Sequence, residues 1–378
     1  MDNKLKLILG IFILVVQVGA FCQVKPFREK LPYVTFTNSQ QIANGYEDYD
    51  LLSTITSMID AAPGNSSIKI CVFKFSDKHI ISALTRAKQR GVDVYIILNK
   101  GPTSDDVNKK VSKKLKDQFD KFYYLENNIS KNAIIHNKFI LFSKLITPSQ
   151  PLKHVIVQTS SNFTKKDAGK AQDLIAFSDK ALFDGFETYW KKIIKLGTTD
   201  NLKKYQYSKI ENRNQTLKAY FFPKQEDKAG LPSDNIEEIL KDISDPSTAF
   251  VAFVHGKWSE HRDNIIDQIS ILVDKGAEIH LLSNESLDTE VRKKLLEAGA
   301  YVHLIDTDEI AVHTKIMFFN AVYKGTRQSV VLTGSHNLTR KSLQANFEVL
   351  LKISNEKIYS AYKEYALDLA SYSQRTKK

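Results

Sequence analysis

Two short stretches of this sequence carry the same chemistry. In the first half, Ile134-Ile135-His136-Asn137-Lys138-Phe139-Ile140-Leu141-Phe142 is followed by a run that ends Thr159-Ser160-Ser161-Asn162-Phe163-Thr164. In the second half, Ala311-Val312-His313-Thr314-Lys315-Ile316-Met317-Phe318-Phe319 leads to Gly334-Ser335-His336-Asn337-Leu338-Thr339. Residues i and i+2 of a strand share a face, so His136 projects with Lys138, and His313 with Lys315. Ser160 with Asn162, and Ser335 with Asn337, do the same at the end of the next strand. Lysine neutralises phosphate, while asparagine and serine hold its non-bridging oxygens. Two such sets supply one histidine to attack phosphorus and another to protonate the leaving oxygen. A lone His-x-Lys on an apolar strand means little. Two copies in matched context mean a phosphate site.

The elements that must position these residues also come twice. A helical stretch at Leu51–Ala62, a strand at Ser67–Phe75, a helix carrying Ile80, Ile81, Leu84 and Ala87 up to Gly91, and a strand at Val92–Leu98 open the first half. Ile236–Ile243, Ala249–Val254, a helix carrying Ile265, Ile266, Ile269 and Leu272 up to Gly276, and Glu278–Leu282 repeat that order. Each glycine stands where a helix C-cap belongs. Val107–Phe119 then matches Thr289–Ala298, and Lys121–Leu125 matches Tyr301–Ile305. Strands alternating with helices predict parallel β-α-β units in a layered α/β sandwich. The expected divisions are a first domain at 23–200 and a second at 215–378, joined around Thr198–Tyr220.

The duplicated motifs resemble those of the phospholipase D superfamily, marked by His-x-Lys-(four residues)-Asp twice, each followed by Gly-Ser-x-Asn. The resemblance covers nearly the whole chain beyond its N-terminal segment. It implies two tandem phospholipase D-like α/β/α sandwich domains sharing one active site, chemistry without metal or cofactor, and a phosphohistidine intermediate. The implied catalytic set is His136, Lys138, His313, Lys315, Asn162 and Asn337, with Ser160 and Ser335 as substrate contacts. Glu348 and Asp173, equally spaced beyond their asparagines, match the acid that orients the opposing histidine. By likeness to bacterial phospholipases D, His136 is the nucleophile and His313 the acid. Ser143 and Asn320 replace the family aspartate, which is regarded as structural, and Thr159 replaces the first glycine.

Lys74 and His255 close the first core strand of each half, where ligands gather in open α/β sheets, and are expected as further substrate contacts. The other histidines, His79, His154, His261, His280, His303 and His336, lack a duplicated context and read as surface or structural. No metal-binding cluster or glycine-rich phosphate loop is present in the sequence. Lys4 and Lys6 before the apolar run Leu7–Val16 predict a signal peptide at 1–22 and export to the periplasm or beyond. Cys71 lies in an apolar run as a core thiol, and Cys22 falls at the expected cleavage site. The formal net charge of +11 suits anionic lipid headgroups and phosphates generally. The expected activity is hydrolysis of phospholipid phosphodiesters to phosphatidic acid and a headgroup alcohol, with phosphatidyl transfer adjacent to it. A membrane surface is the expected partner, and no obligate protein partner is evident. The competing readings are a metal-independent nuclease acting on nucleic acid and a non-catalytic phosphate-binding protein.

Overall fold

The computed structural model describes residues 24–101, 103–198, 205–225, 233–259 and 262–376, so the expected signal peptide lies outside the described residues. The first half runs β1 (Tyr33–Phe36), α1 (Ser39–Ala43), α2 (Asp50–Asp60), β2 (Ser67–Val72), α3 (Lys78–Gln89), β3 (Asp93–Asn99), α4 (Asp105–Gln118) and β4 (Lys121–Leu125). It continues with β5 (Lys138–Leu145), β6 (Leu152–Thr159), α5 (Lys165–Ala168), β7 (Lys170–Ala171), β8 (Asp173–Ser178) and α6 (Lys180–Gly197). The second half runs β9 (Ser208–Glu211), β10 (Leu217–Phe221), α7 (Asn235–Lys241), β11 (Ile243–His255), α8 (Asp263–Asp274), β12 (Glu278–Asn284), α9 (Thr289–Glu297) and β13 (Tyr301–Ile305). It closes with β14 (Ala311–Val312), β15 (Lys315–Tyr323), β16 (Thr326–Gly334), α10 (Arg340–Gln344), β17 (Val349–Ser354), α11 (Glu356–Ala370) and β18 (Gln374–Thr376).

Local chemistry explains these elements. Asp77 caps α3 by accepting the Ile80 N–H, and the helix buries Ile80, Ile81, Leu84 and Ala87. Gly91 and Gly276, with φ of +87° and +94°, end the matched helices α3 and α8 in the left-handed conformation that favours glycine. Both sheets repeat one strand order: β8-β6-β5-β2-β3-β4 in the first and β17-β16-β15-β11-β12-β13 in the second. The expected parallel units cover β2-β3-β4 and β11-β12-β13, while β5 and β15 enter antiparallel. These strands begin only at Lys138 and Lys315, so His136 and His313 stand two residues ahead of them rather than on the strand as expected. The second sheet also takes in β9, ahead of residue 215.

Three apolar cores result. One lies within each half, packed around α2 and α3 or α7 and α8. The third lies between the halves, where α6 and α11 bring Phe186, Tyr189, Tyr362 and Tyr365 against residues of both sheets, among them Ile175, Phe177, Leu351 and Ile353. That shared core joins the ends of β5 and β15 into one place.

Candidate active site between the halves

Each histidine is anchored by the opposite half. The His136 N–H donates to the Phe347 carbonyl at 2.9 Å, and the His313 N–H to the Ala171 carbonyl at 3.0 Å. Ile135 bridges Phe347, and β14 pairs in parallel with β7, so the chain crosses over before each motif. Both lysines are buried at the first position of their strands, Lys138 at 0% and Lys315 at 2% exposure. Lys138 Nζ donates back to the His136 carbonyl at 2.7 Å, and Lys315 Nζ does the same to His313. Burial pushes Lys138 down to about 8 and Lys315 down to about 7, the latter helped by the charge of Lys138. The two ammonium groups therefore share one space.

The two imidazoles differ in their partners. His136 Nδ1 stands 2.9 Å from Glu348 Oε2 and 3.1 Å from the Ser335 carbonyl. Two acceptors at Nδ1 place the proton there and leave Nε2 with its lone pair. Glu348 is itself held at Oε1 by Ser342 Oγ at 3.1 Å and Asn346 Nδ2 at 3.2 Å. His313 Nδ1 meets Gln172 Oε1 at 3.1 Å, a neutral partner. Burial lowers the pKa of both rings; Lys138 and Lys315 add to this for His136 while Glu348 opposes it. His313 falls well below the usual range, through burial and then Lys315, Lys170 and Lys138.

The expectation that Asp173 orients His313 does not hold, because equal spacing misaligns the repeat. The Ser160 hydroxyl accepts the N–H of Asp173, 13 residues on, whereas Ser335 accepts that of Val349, 14 residues on. Asp173 thus corresponds to Val349, and Gln172 to Glu348. Asp173 is instead a strut between halves: Thr333 Oγ1 and the Tyr362 hydroxyl both donate to its Oδ2, and burial raises its pKa. The same bonds correct the reading of Ser160 and Ser335, whose hydroxyls hold the next strand rather than facing a phosphate.

Asn162 is buried and its Oδ1 accepts the Lys74 N–H at 3.2 Å, while Asn337 is half-buried at the matching place. Lys74 and His255 are not counterparts. Phe163 and Leu338 donate to the carbonyls of Lys74 and Lys257, which pairs those two lysines. Val72 faces Lys138 and His255 faces Lys315 across the sheet, which pairs Val72 with His255. His255 is 2% exposed, and its Nδ1 has no hydrogen-bond partner. Ser143 and Asn320, in the family aspartate's places, serve the sheets: Ser143 Oγ accepts the Ser67 N–H, and Asn320 bonds Ser329 and Arg327.

Sequence reasoning missed Phe73 and Gln172. The Phe73 ring packs edge-on against His136, with centroids 5.1 Å apart, and holds Lys138 Nζ at 5.5 Å and Lys74 Nζ at 5.4 Å. Its counterpart is Gly256, where a Cβ would lie 1.8 Å from the Val312 carbonyl oxygen. His136 is therefore sealed and His313 left half-buried. A one-residue gap in the repeat alignment would have disclosed Gln172; nothing in the sequence marks Phe73.

A family described as "Cardiolipin synthase, PLD-like domain" matches residues 55–194 and 247–369, one copy per half and together more than half of the chain. Among solved structures, phosphatidylserine synthase of Haemophilus influenzae superposes with a TM-score of 0.61 at 10% identity, covering 95% of this chain and 90% of that one. Polyphosphate kinase of Porphyromonas gingivalis gives 0.59 at 15% identity, covering 92% of this chain and 48% of that one, so the chain spans about half its length. No curated protein sequence matches the chain.

Proposed function

The chain belongs to the phospholipase D superfamily, and from that premise we propose that it is a phosphodiesterase cleaving phospholipids through a phosphohistidine on His136. The observation that carries this reading is the convergence of two His–Lys pairs, with only His136 backed by a buried carboxylate. His136 Nε2 attacks phosphorus, the P–N bond forms as the P–O bond to the headgroup breaks, and His313 gives its proton to the departing alkoxide. Water then attacks the phosphohistidine, His313 takes the water's proton, and His136 is released with phosphatidic acid. An alcohol in place of water gives phosphatidyl transfer. Lys138 and Lys315 neutralise the non-bridging oxygens, with the amides of Asn162 and Asn337 beside them.

His313 takes up its proton from solvent as the substrate binds. Burial, and after it Lys315, Lys170, Lys138 and His136, drive His313 towards the neutral form. A bound phosphodiester anion offsets Lys138 and Lys315, and so favours the imidazolium that the leaving group needs.

Lipid as substrate is supported by the family's cardiolipin synthase description and by the basic chain. Action outside the cytoplasm rests on the apolar run after Lys6. The test is mass spectrometry of products from mixed phospholipids and, separately, single-stranded DNA. Phosphatidic acid is expected from the wild type and none from His136→Asn. Cleaved DNA with intact lipid would replace the lipid reading by a nuclease.

A further inference from the structure

The short helices α5 and α10 follow the two asparagines closely, and α10 reaches the site through the Ser342 bond to Glu348. Thr164 and Thr339 cap them by accepting the N–H groups of Asp167 and Ser342, each at 3.2 Å. Their inward sides are fastened. Asp167 receives Thr164 Oγ1 at 2.6 Å and Lys170 Nζ at 3.1 Å, and Ser342 donates to Glu348. What faces outward is cationic in both copies: Lys165 and Lys166 on α5, Arg340 and Lys341 on α10, all exposed. Half-buried Lys74 and exposed Lys257 form a third matched pair at the strand ends.

We propose that this paired rim is a docking surface for an anionic lipid bilayer, which presents the phosphodiester to the site between the halves. The inference rests on the phospholipid reading of that site. Exposed cations matched in both halves suit a planar field of headgroups; a nucleic-acid strand is followed by a groove that tracks its backbone. The loop before α2 adds Tyr46 and Tyr49, 66% and 37% exposed, whose amphipathic rings belong at headgroup level. That loop is tied to α5 by the Asp48 N–H, which donates to the Ala168 carbonyl at 2.9 Å. The same loop and the start of α2 also carry acids: Glu47 pairs with Lys165 at 3.2 Å, Asp48 is buried and Asp50 is exposed. Arg340 Nε bonds the neutral Gln344, so the six cations of the rim outnumber the acids beside them.

The experiment is sedimentation with vesicles of phosphatidylcholine alone or with about one third phosphatidylglycerol, using His136→Asn to prevent turnover. The same protein carrying Lys165→Glu, Lys166→Glu, Arg340→Glu and Lys341→Glu is compared with a version carrying glutamines. Charge reversal is expected to weaken partitioning to the anionic vesicles by roughly 100-fold, glutamines by less, and neutral vesicles to bind neither. In the active background, all forms should hydrolyse bis(p-nitrophenyl) phosphate at the wild-type rate. Undiminished vesicle binding by the reversed rim overturns the proposal. So does rim-dependent binding of a single-stranded oligonucleotide with no binding to vesicles. Rim-dependent vesicle binding by a chain inert towards every phosphodiester would leave docking standing and sink the enzymatic reading instead.

Discussion

At the scale of single residues, the two histidines of one repeated motif have become unlike. His136 has an anionic partner, a second acceptor in the Ser335 carbonyl, and a phenyl ring against its edge. His313 has a neutral amide and no ring, because Gly256 admits no side chain. A nucleophile that must stay neutral gains from cover, since burial is the largest influence lowering the His136 pKa. Phe73→Ala should hydrate the ring and raise that pKa. The acid limb of kcat/KM against pH should then move upward, with activity down on the order of 10–100-fold. Phe73→Leu keeps the cover and should hold the acid limb near the wild-type position. Equal limbs in all three proteins would deny Phe73 this role.

At the scale of elements, the repeat itself was legible in the sequence. The helix–strand order, the glycine C-caps and the strands that begin at Lys138 and Lys315 correspond to observed elements, because apolar periodicity and capping act locally. The histidines themselves fall in the crossing segments just ahead of those strands. Direction was not legible: β5 and β15 run antiparallel to β2 and β11, and nothing local to a strand states which neighbour it will join. The one-residue difference between α5–β8 and α10–β17 was there to be read as a gap in the repeat, but equal spacing from the asparagines hid it; it moved Asp173 off the site and put Gln172 in its place. The serines of both motifs looked like phosphate ligands because their type fits. Their hydroxyls are taken by backbone N–H groups that only the fold brings near. The crossing at β14 offers the test at this scale. Gly256→Ala would drive a Cβ into the Val312 carbonyl, one residue before His313. We expect kcat on a soluble phosphodiester to fall on the order of 100-fold with a clear loss of stability, and Val72→Ala, which removes core volume at the end of β2 without driving an atom into the backbone, to leave kcat within a few-fold. Wild-type turnover by Gly256→Ala would show that this close approach does not set the position of His313.

At the scale of the whole molecule, the shared core makes the halves one unit, and the buried cations at their junction make its stability depend on pH. Lys138 and Lys315 titrate near 8 and 7 in the folded chain, against an ordinary 10.5. A depressed pKa contributes stability that is full above the unfolded value and lost as pH falls through the folded one. For the lysines that loss spans the interval from about 10.5 down to 7. His136 is lowered, and His255, His313 and His336 lie well below 6.5, so they extend the loss below the ordinary histidine range. Lys224 and Lys352, lowered by burial, add to the loss, while Asp173, raised by burial, and Asp50, raised by Asp48, work the opposite way. The melting temperature should therefore fall steadily from about pH 9 to about pH 5. Lys315→Met should flatten the upper part of that slope, although the His313 carbonyl loses its ammonium donor. His336→Leu should flatten the lower part. It also removes a ring that is 1% exposed with both nitrogens unpartnered, a defect worth roughly 1–3 kcal/mol. Calorimetry across this range reads both effects. A melting temperature independent of pH, or one that climbs towards acid, would mean that the ammonium and imidazole groups are solvated in the folded protein rather than buried at the junction of the halves.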